Sequence, residues 1–346
     1  MAVGPEISVI VGAYSREKYL PFAVRSLLAQ TIDRDRFEII VIKNFRSADA
    51  DRELAAAGAT VLFDEERRIG RWLRHAIRVA RAPIVTFCDD DDEFEPDRLA
   101  QVLATFASHP DLGFYRNRVR VIDAEGRPIP ERLWRPHERD AGFDTLGPVY
   151  RPSGDKADLL ELVTTRTHAS FATSSMALRR ELLDDELGDA FERTQLEDLF
   201  LFLTGALSPY GVYLDDRRLT RYRFYAGNVT HEVRWLGHAT TSERDMASVA
   251  EQHGRPDFAR WLTARAVNHE RLFLGGTLVE RVAAGADRHE TAQRTAAYLR
   301  FLGHHPEERA WTLDTWAAGA YGLSNLAVPA LAGRVARARI AARSAG

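Results

Sequence analysis

The sequence predicts an α/β fold: a mostly parallel central sheet flanked by helices, followed by a helical C-terminal extension. Three observations carry that prediction. Short apolar runs alternate with amphipathic stretches over the first 125 residues, and Pro, Gly and Arg break the pattern between about 125 and 170. Alanine, arginine and leucine at helical spacing dominate from about residue 240. Strand and helix in alternation imply parallel pairing through right-handed crossovers, and such sheets bind ligands beyond the carboxyl ends of their strands.

The elements follow in order. ISVIVGAY (7–14) is β-branched and nearly continuous, as a strand buried on both faces should be. Leu20, Val24, Leu27 and Leu28 then recur at helical spacing, and FEIIVI (37–42) forms a second buried strand. Gly58 ends the next helix before the strand ATVLF (59–63), and a helix from Gly70 to Ala80 leads into the strand PIVTFC (83–88). GRPIPERLWRPHE and GPVYRPSGD suit a long loop or small insertion. Regular structure returns with SFATSSMALRRELL, where Ser170, Thr173, Ser174 and Ser175 read as caps before a helix, and continues to YRFYAGNVTH.

Composition bounds the function. With 47 basic and 50 acidic residues the net charge is −3, which excludes a nucleic-acid partner bound through bulk charge. The apolar share, 45%, supplies a large core, and 346 residues favour two domains or one with an extension. The single cysteine, Cys88, sits in an apolar run and forms no disulfide within the chain, so a reducing cytoplasm is expected. Neither a secretion signal nor a membrane span is expected.

FCDDDDEFEPDRL (87–99) places Asp89, Asp90, Asp91 and Asp92 directly after a buried strand. Four adjacent carboxylates repel one another, so a cation belongs among them. Strand alternation points Asp89 and Asp91 the same way, giving oxygen ligands suited to Mg²⁺ or Mn²⁺. The same residues also suit a solvated acidic turn that starts a helix near Pro96.

The ordered set SVIVGAYSREKYL, EIIVI and IVTFCDDDDEFEPDRL resembles the nucleotide-binding half of family 2 glycosyltransferases. That resemblance implies a GT-A fold, with a Rossmann-like sheet and an Asp-x-Asp motif matched by Asp89 and Asp91. It extends through QLEDLFLFLT and VYLDDRRLTRYRFYAGNVTH, covering roughly residues 6 to 231. It implies a nucleotide-sugar-binding half over residues 1–125 and an acceptor-binding half over 126–235, with the helical extension over 236–346. Asp91 would be the principal metal ligand, Asp89 would reach ribose or metal-bound water, Asp90 would lie beside it on the donor, and Asp198 would be the general base. Glu197 and Asp198 could instead cap the aliphatic helix that follows them.

Departures from the family pattern matter for specificity. Lys43 and Asn44 stand where an acidic pair is usual, so Asn44 is the expected base contact through its amide. Tyr14 keeps a ring on which a base could stack. Arg71 and Arg74, within a run that includes Arg67 and Arg68, lie where the family contacts the donor phosphates. Tyr225 takes the place of a frequent histidine, which leaves His231 as the candidate imidazole metal ligand.

These matches imply metal-dependent, inverting transfer from a UDP-, GDP- or dTDP-linked sugar to a hydroxyl acceptor: a glycan, a lipid-linked glycan or a natural product. Two rivals are a noncatalytic sugar-nucleotide binder and a sugar-phosphate nucleotidyltransferase. The latter needs a Gly-rich basic loop, which GAYSREKYL does not supply. From Trp311 onward, aromatic and aliphatic residues precede several arginines. That tail suits packing on the catalytic domain, a homodimer contact or peripheral attachment to an anionic membrane.

Overall fold

A computed structural model describes residues 4–130, 147–165, 169–184, 186–225 and 233–305. Four strands form the parallel part of the sheet: β1 (Ile7–Ala13), β2 (Phe37–Lys43), β3 (Thr60–Phe63) and β4 (Ile84–Asp89). They lie in the order β3-β2-β1-β4, so the first strand is central. Its register sets Gly12 opposite Asp89 and Ala13 opposite Lys43, which gathers three strand ends at one edge.

Alternation along these strands supplies two apolar faces. Ile7, Val9, Val11, Ile39 and Val41 join a core with Leu20, Val24 and Leu27 of α1 (Leu20–Leu28), Leu54 of α2 (Ala48–Ala56) and Leu99 and Val102 of α4 (Arg98–Ser108). The other face meets α3 (Ile69–Val79), whose Trp72 ring lies 3.1 Å from where a Cβ on Gly12 would stand. Each such Leu or Ile contributes about 1.5–3 kcal/mol through burial. Gly58, at φ +64°, allows the sharp exit from α2 into β3.

Beyond β4 the sheet is mixed. β8 (Met176–Arg179) runs antiparallel to both β4 and β6 (Leu112–Ile122), and β9 (Gly211–Arg223) runs parallel to β6. Register shifts along the β6 and β9 pair bend it locally. The short β5 (Glu93–Phe94) and β7 (Val149–Arg151) both pair antiparallel with β9. Thr173, Ser174 and Ser175 do not cap a helix as expected. They form a 3₁₀ turn that leads into β8, where the Ser174 hydroxyl accepts from the Asp89 N–H and the Ser175 hydroxyl donates to the Ala172 carbonyl.

Short helices α5 (Leu159–Thr165) and α6 (Glu186–Phe191) precede α7 (Glu197–Leu207), which is almost wholly apolar after its first two residues. Three helices follow: α8 (Val233–Gln252), α9 (Pro256–Ala283) and α10 (Arg288–His304). The chain divides into two compact units, Met1–Asn228 with Asp245–Ala259 and Val229–Arg244 with Arg260–Gly346. Within the second, Leu278, Val282 and Tyr298 form a small core, and buried Glu243 is paired with Arg265 and His269, each at 2.7 Å. Among the described residues no helix is long and apolar enough to cross a membrane. The tail from Trp311 lies outside the described residues.

Candidate active site

The site is built on the end of β4. There the Asp89 N–H donates to Ser174 Oγ at 2.9 Å, and the Asp90 N–H donates to the Gly12 carbonyl at 3.1 Å, continuing the ladder past the last paired residue. The Asp92 N–H turns back to the Asp89 carbonyl at 3.1 Å, closing the turn. Pairing of Glu93 with Arg221 and of Phe94 with Thr220 then pins the turn to β9.

Arg223 completes this anchorage from β9. Its backbone N–H donates to Asp92 Oδ1 at 2.9 Å, its Nε to the Asp91 carbonyl at 2.8 Å, and its terminal nitrogen meets Glu93 at 2.5 Å. The side chain is buried and lies over the Tyr19 ring at 4.6 Å. This arginine therefore holds the backbone that presents the aspartates.

Asp89, Asp91 and Asp92 each offer a carboxylate oxygen, and these oxygens lie within 4.8 Å of one another. Burial, followed by the charge of Asp91, pushes the Asp89 carboxyl up to about 7. Asp90 and Asp92 are raised well above the ordinary carboxylate range, again chiefly by burial. The donor set fits a hard divalent cation: it is all oxygen, strongly anionic, and includes buried Asp92 Oδ2, which has no hydrogen bond among the described residues.

A protein cation already lies in this cluster, and the sequence reading did not identify it. Arg16, on the loop after β1, sets one terminal nitrogen 2.6 Å from Asp90 Oδ1 and the other 2.5 Å from Asp91 Oδ2. The only sequence signal was the need for a cation beside four carboxylates, since nothing in SREKYL marks Arg16 apart from other surface arginines. Tyr225, in the position of the family histidine, donates to the same Asp91 oxygen at 3.2 Å. His231 lies outside the described residues.

The second acidic pair starts α7. The N-cap position is Leu196, with no side-chain cap, and Asp198, inside the first turn, accepts at Oδ1 from the Leu199 N–H at 2.7 Å. A capping role for Asp198 therefore lacks the geometry that defines one. Burial, then the charges of Asp198 and Asp89, raise Glu197 to about 8. Asp198 likewise contributes to the raised Asp89, so the two acidic clusters share one electrostatic field.

Both ends of α7 are tied down. At its N-terminal side the Gly70 N–H donates to the Thr194 carbonyl at 3.2 Å, and a Cβ on Gly70 would stand 1.8 Å from the Phe191 carbonyl oxygen. Only glycine allows α3 to approach so closely. At the C-terminal end buried Lys156 donates to the carbonyls of Gly205 and Tyr210 at 3.1 and 3.0 Å, and to that of Ser208. Cations suit that end of the helix dipole.

The remaining expected residues fall around this frame. Tyr14 is half-buried with its ring edge-on to Trp72 at 5.6 Å. Asn44 grips the loop after β1: its Oδ1 accepts from the Ser15 N–H at 2.6 Å and its Nδ2 donates to Ser15 Oγ at 3.0 Å, holding Ser15 at φ +57°. Lys43 is buried and paired with Asp51 at 2.8 Å. Arg71 and Arg74 are not joined to the aspartates. Arg71 is exposed beside Glu66 at 3.4 Å, while buried Arg74 packs against Gly188 and lies 3.9 Å from Glu192.

Comparison with known proteins agrees with this geometry. EpsH of Bacillus subtilis (strain 168), named as a glycosyltransferase, is 34% identical over 114 residues, 31% of this chain and 32% of its own length. The matched stretch thus spans about a third of that curated relative. Two solved structures share the fold. S. aureus TarS 1-349, in complex with UDP-GlcNAc, has a TM-score of 0.55 at 14% identity, covering 92% of this chain and 91% of that one. The mannosyltransferase PcManGT from Pyrobaculum calidifontis, in complex with GDP-Man and Mn²⁺, has a TM-score of 0.51 at 17% identity, covering 94% and 88%. The fold is thereby GT-A, as expected. The family model for glycosyl transferase family 2 matches residues 8–187, just over half of the chain. The chain belongs to glycosyl transferase family 2.

Proposed function

We propose that this protein transfers a sugar from a nucleoside-diphosphate sugar to a hydroxyl acceptor with inversion, assisted by Mn²⁺ or Mg²⁺. The observation that carries this reading is the cluster of Asp89, Asp91 and Asp92 at the end of β4, whose carboxylate oxygens lie within 4.8 Å of one another, with Asp198 at the start of α7 contributing to the field at Asp89. A sugar-nucleotide binder without chemistry has no use for the second carboxylate. The UDP-GlcNAc and GDP-Man complexes of the two structural neighbours, one with Mn²⁺, support the donor class.

Asp89, Asp91 and Asp92 would hold the cation, with Tyr225 beside Asp91. When bound, a divalent ion supplies Lewis-acid stabilisation of the departing diphosphate. Glu197, raised to about 8 chiefly by burial, keeps its proton near neutral pH. The Asp198 carboxylate accepts the acceptor's hydroxyl proton as that oxygen bonds to the anomeric carbon. The bond from that carbon to the phosphate oxygen breaks on the opposite face, releasing the nucleoside diphosphate. Asn44 and Tyr14 flank the loop after β1 and would meet the base.

A thermal-shift panel of UDP, GDP and dTDP, each with and without Mn²⁺, tests the reading. Ligand at 100 times its Kd stabilises the native state by about 2.7 kcal/mol. Asp91→Ala should abolish the metal-linked part of that gain, and an undiminished gain in this variant rejects the metal site.

A further inference from the structure

We infer that Arg16 is a built-in counter-ion of the acidic turn, and that a divalent cation must displace its guanidinium from Asp91 in order to bind. This inference rests on the proposed metal site. Its basis is a conflict over one carboxylate: Asp91 Oδ2 accepts from Arg16 at 2.5 Å and from Tyr225 at 3.2 Å, and Asp91 belongs to the set of carboxylates able to hold a metal. A guanidinium at contact distance offsets the charge of that carboxylate and repels a divalent cation approaching the same group. The other prong of Arg16, at 2.6 Å from buried Asp90, anchors the side chain beside the set. Two-pronged pairing of this kind is stronger and more directional than a single contact.

The backbone around Arg16 favours a defined exchange. The preceding residue, Ser15, is held at φ +57° by both amide atoms of Asn44. The loop is therefore fixed at its base while the Arg16 side chain, 29% exposed, retains room to turn outward. A diphosphate offers the released guanidinium a new anionic partner. Metal alone consequently binds against Arg16, whereas metal with nucleoside diphosphate binds without that competition.

Mn²⁺ titration followed by electron paramagnetic resonance, with no nucleotide present, tests this on wild type, Arg16→Gln and Asp91→Asn. Removing the competing charge should tighten Mn²⁺ binding at least tenfold in Arg16→Gln, while Asp91→Asn should lose it. Unchanged or weaker affinity in Arg16→Gln, with binding lost in Asp91→Asn, overturns the role of Arg16 and leaves the metal site standing. Wild-type affinity in Asp91→Asn removes the metal site and this inference together. Should Arg16→Gln not fold, Arg16→Ala removes the same charge and should likewise bind Mn²⁺ more tightly than wild type. Affinity at or below wild type in that variant likewise overturns the inference.

Discussion

Gly70→Ala tests how firmly the proposed base is set against the donor half. The new methyl carbon would lie 1.8 Å from the Phe191 carbonyl oxygen and 2.9 Å from Thr194 Cγ2. Bringing the oxygen from 1.8 Å to ordinary contact at 3.4 Å requires a retreat of about 1.6 Å. The Gly70 N–H to Thr194 carbonyl bond, already 3.2 Å long, breaks under that movement, which costs about 0.5–1.5 kcal/mol. Overpacking adds about 1–3 kcal/mol, and the better helix propensity of alanine returns up to about 1 kcal/mol. The net loss of about 0.5–3.5 kcal/mol lowers Tm by about 1–14 °C, at 2–4 °C per kcal/mol for domains of 150–250 residues. Asp198 lies four residues beyond Thr194, and a misplacement near 1 Å costs on the order of 100-fold in rate. Differential scanning fluorimetry reads the first effect, and turnover with a working acceptor reads the second. UDP affinity should hold, because the acidic turn on β4 is anchored by Ser174 and Arg223 instead. Wild-type Tm together with wild-type turnover would show that the contact between α3 and residues 191–194 does not position the base.

Other outcomes follow from the same geometry. Asp198→Asn should lower turnover by about 100-fold to 10,000-fold with Tm and UDP affinity unchanged, and near-wild-type turnover rejects Asp198 as the base. Asp89 and Glu197, at about 7 and about 8 against ordinary values of 3.8 and 4.5, bind more protons folded than unfolded across that interval. Their stabilising contribution is thus complete below the ordinary values and lost as pH rises through 7 and 8. The Tm of metal-free protein should therefore fall between pH 5 and pH 8.5, and Glu197→Gln should flatten the fall, a slope identical to wild type counting against the assignment. With an amide at Asn44 in place of a carboxylate, UDP, GDP and dTDP should compete within about 1,000-fold, roughly 4 kcal/mol. A larger preference in competition assays would mean that another group reads the base.

The sequence by itself determined the parallel half of the sheet and the position of the acidic turn. β-branched runs such as those in β1 and β2 can be buried on both faces only in a covered sheet, and four aspartates after one of them mark a strand's carboxyl end. It marked Asp198 as a candidate base, through its place beside Glu197 before an aliphatic helix and the family resemblance. Local pattern misread the Thr173–Ser175 segment, where hydroxyl residues suit a helix cap and a tight turn into β8 equally well. Only the tertiary structure decided the long-range partners. It made Arg223 the anchor of the aspartates, and it enclosed Arg74 beneath Gly188. It also brought Arg16 to Asp91 across 75 positions of chain. The reason is that helical and strand periods record which face a residue occupies, whereas the partner of a long, flexible arginine depends on which strand ends the sheet order brings together.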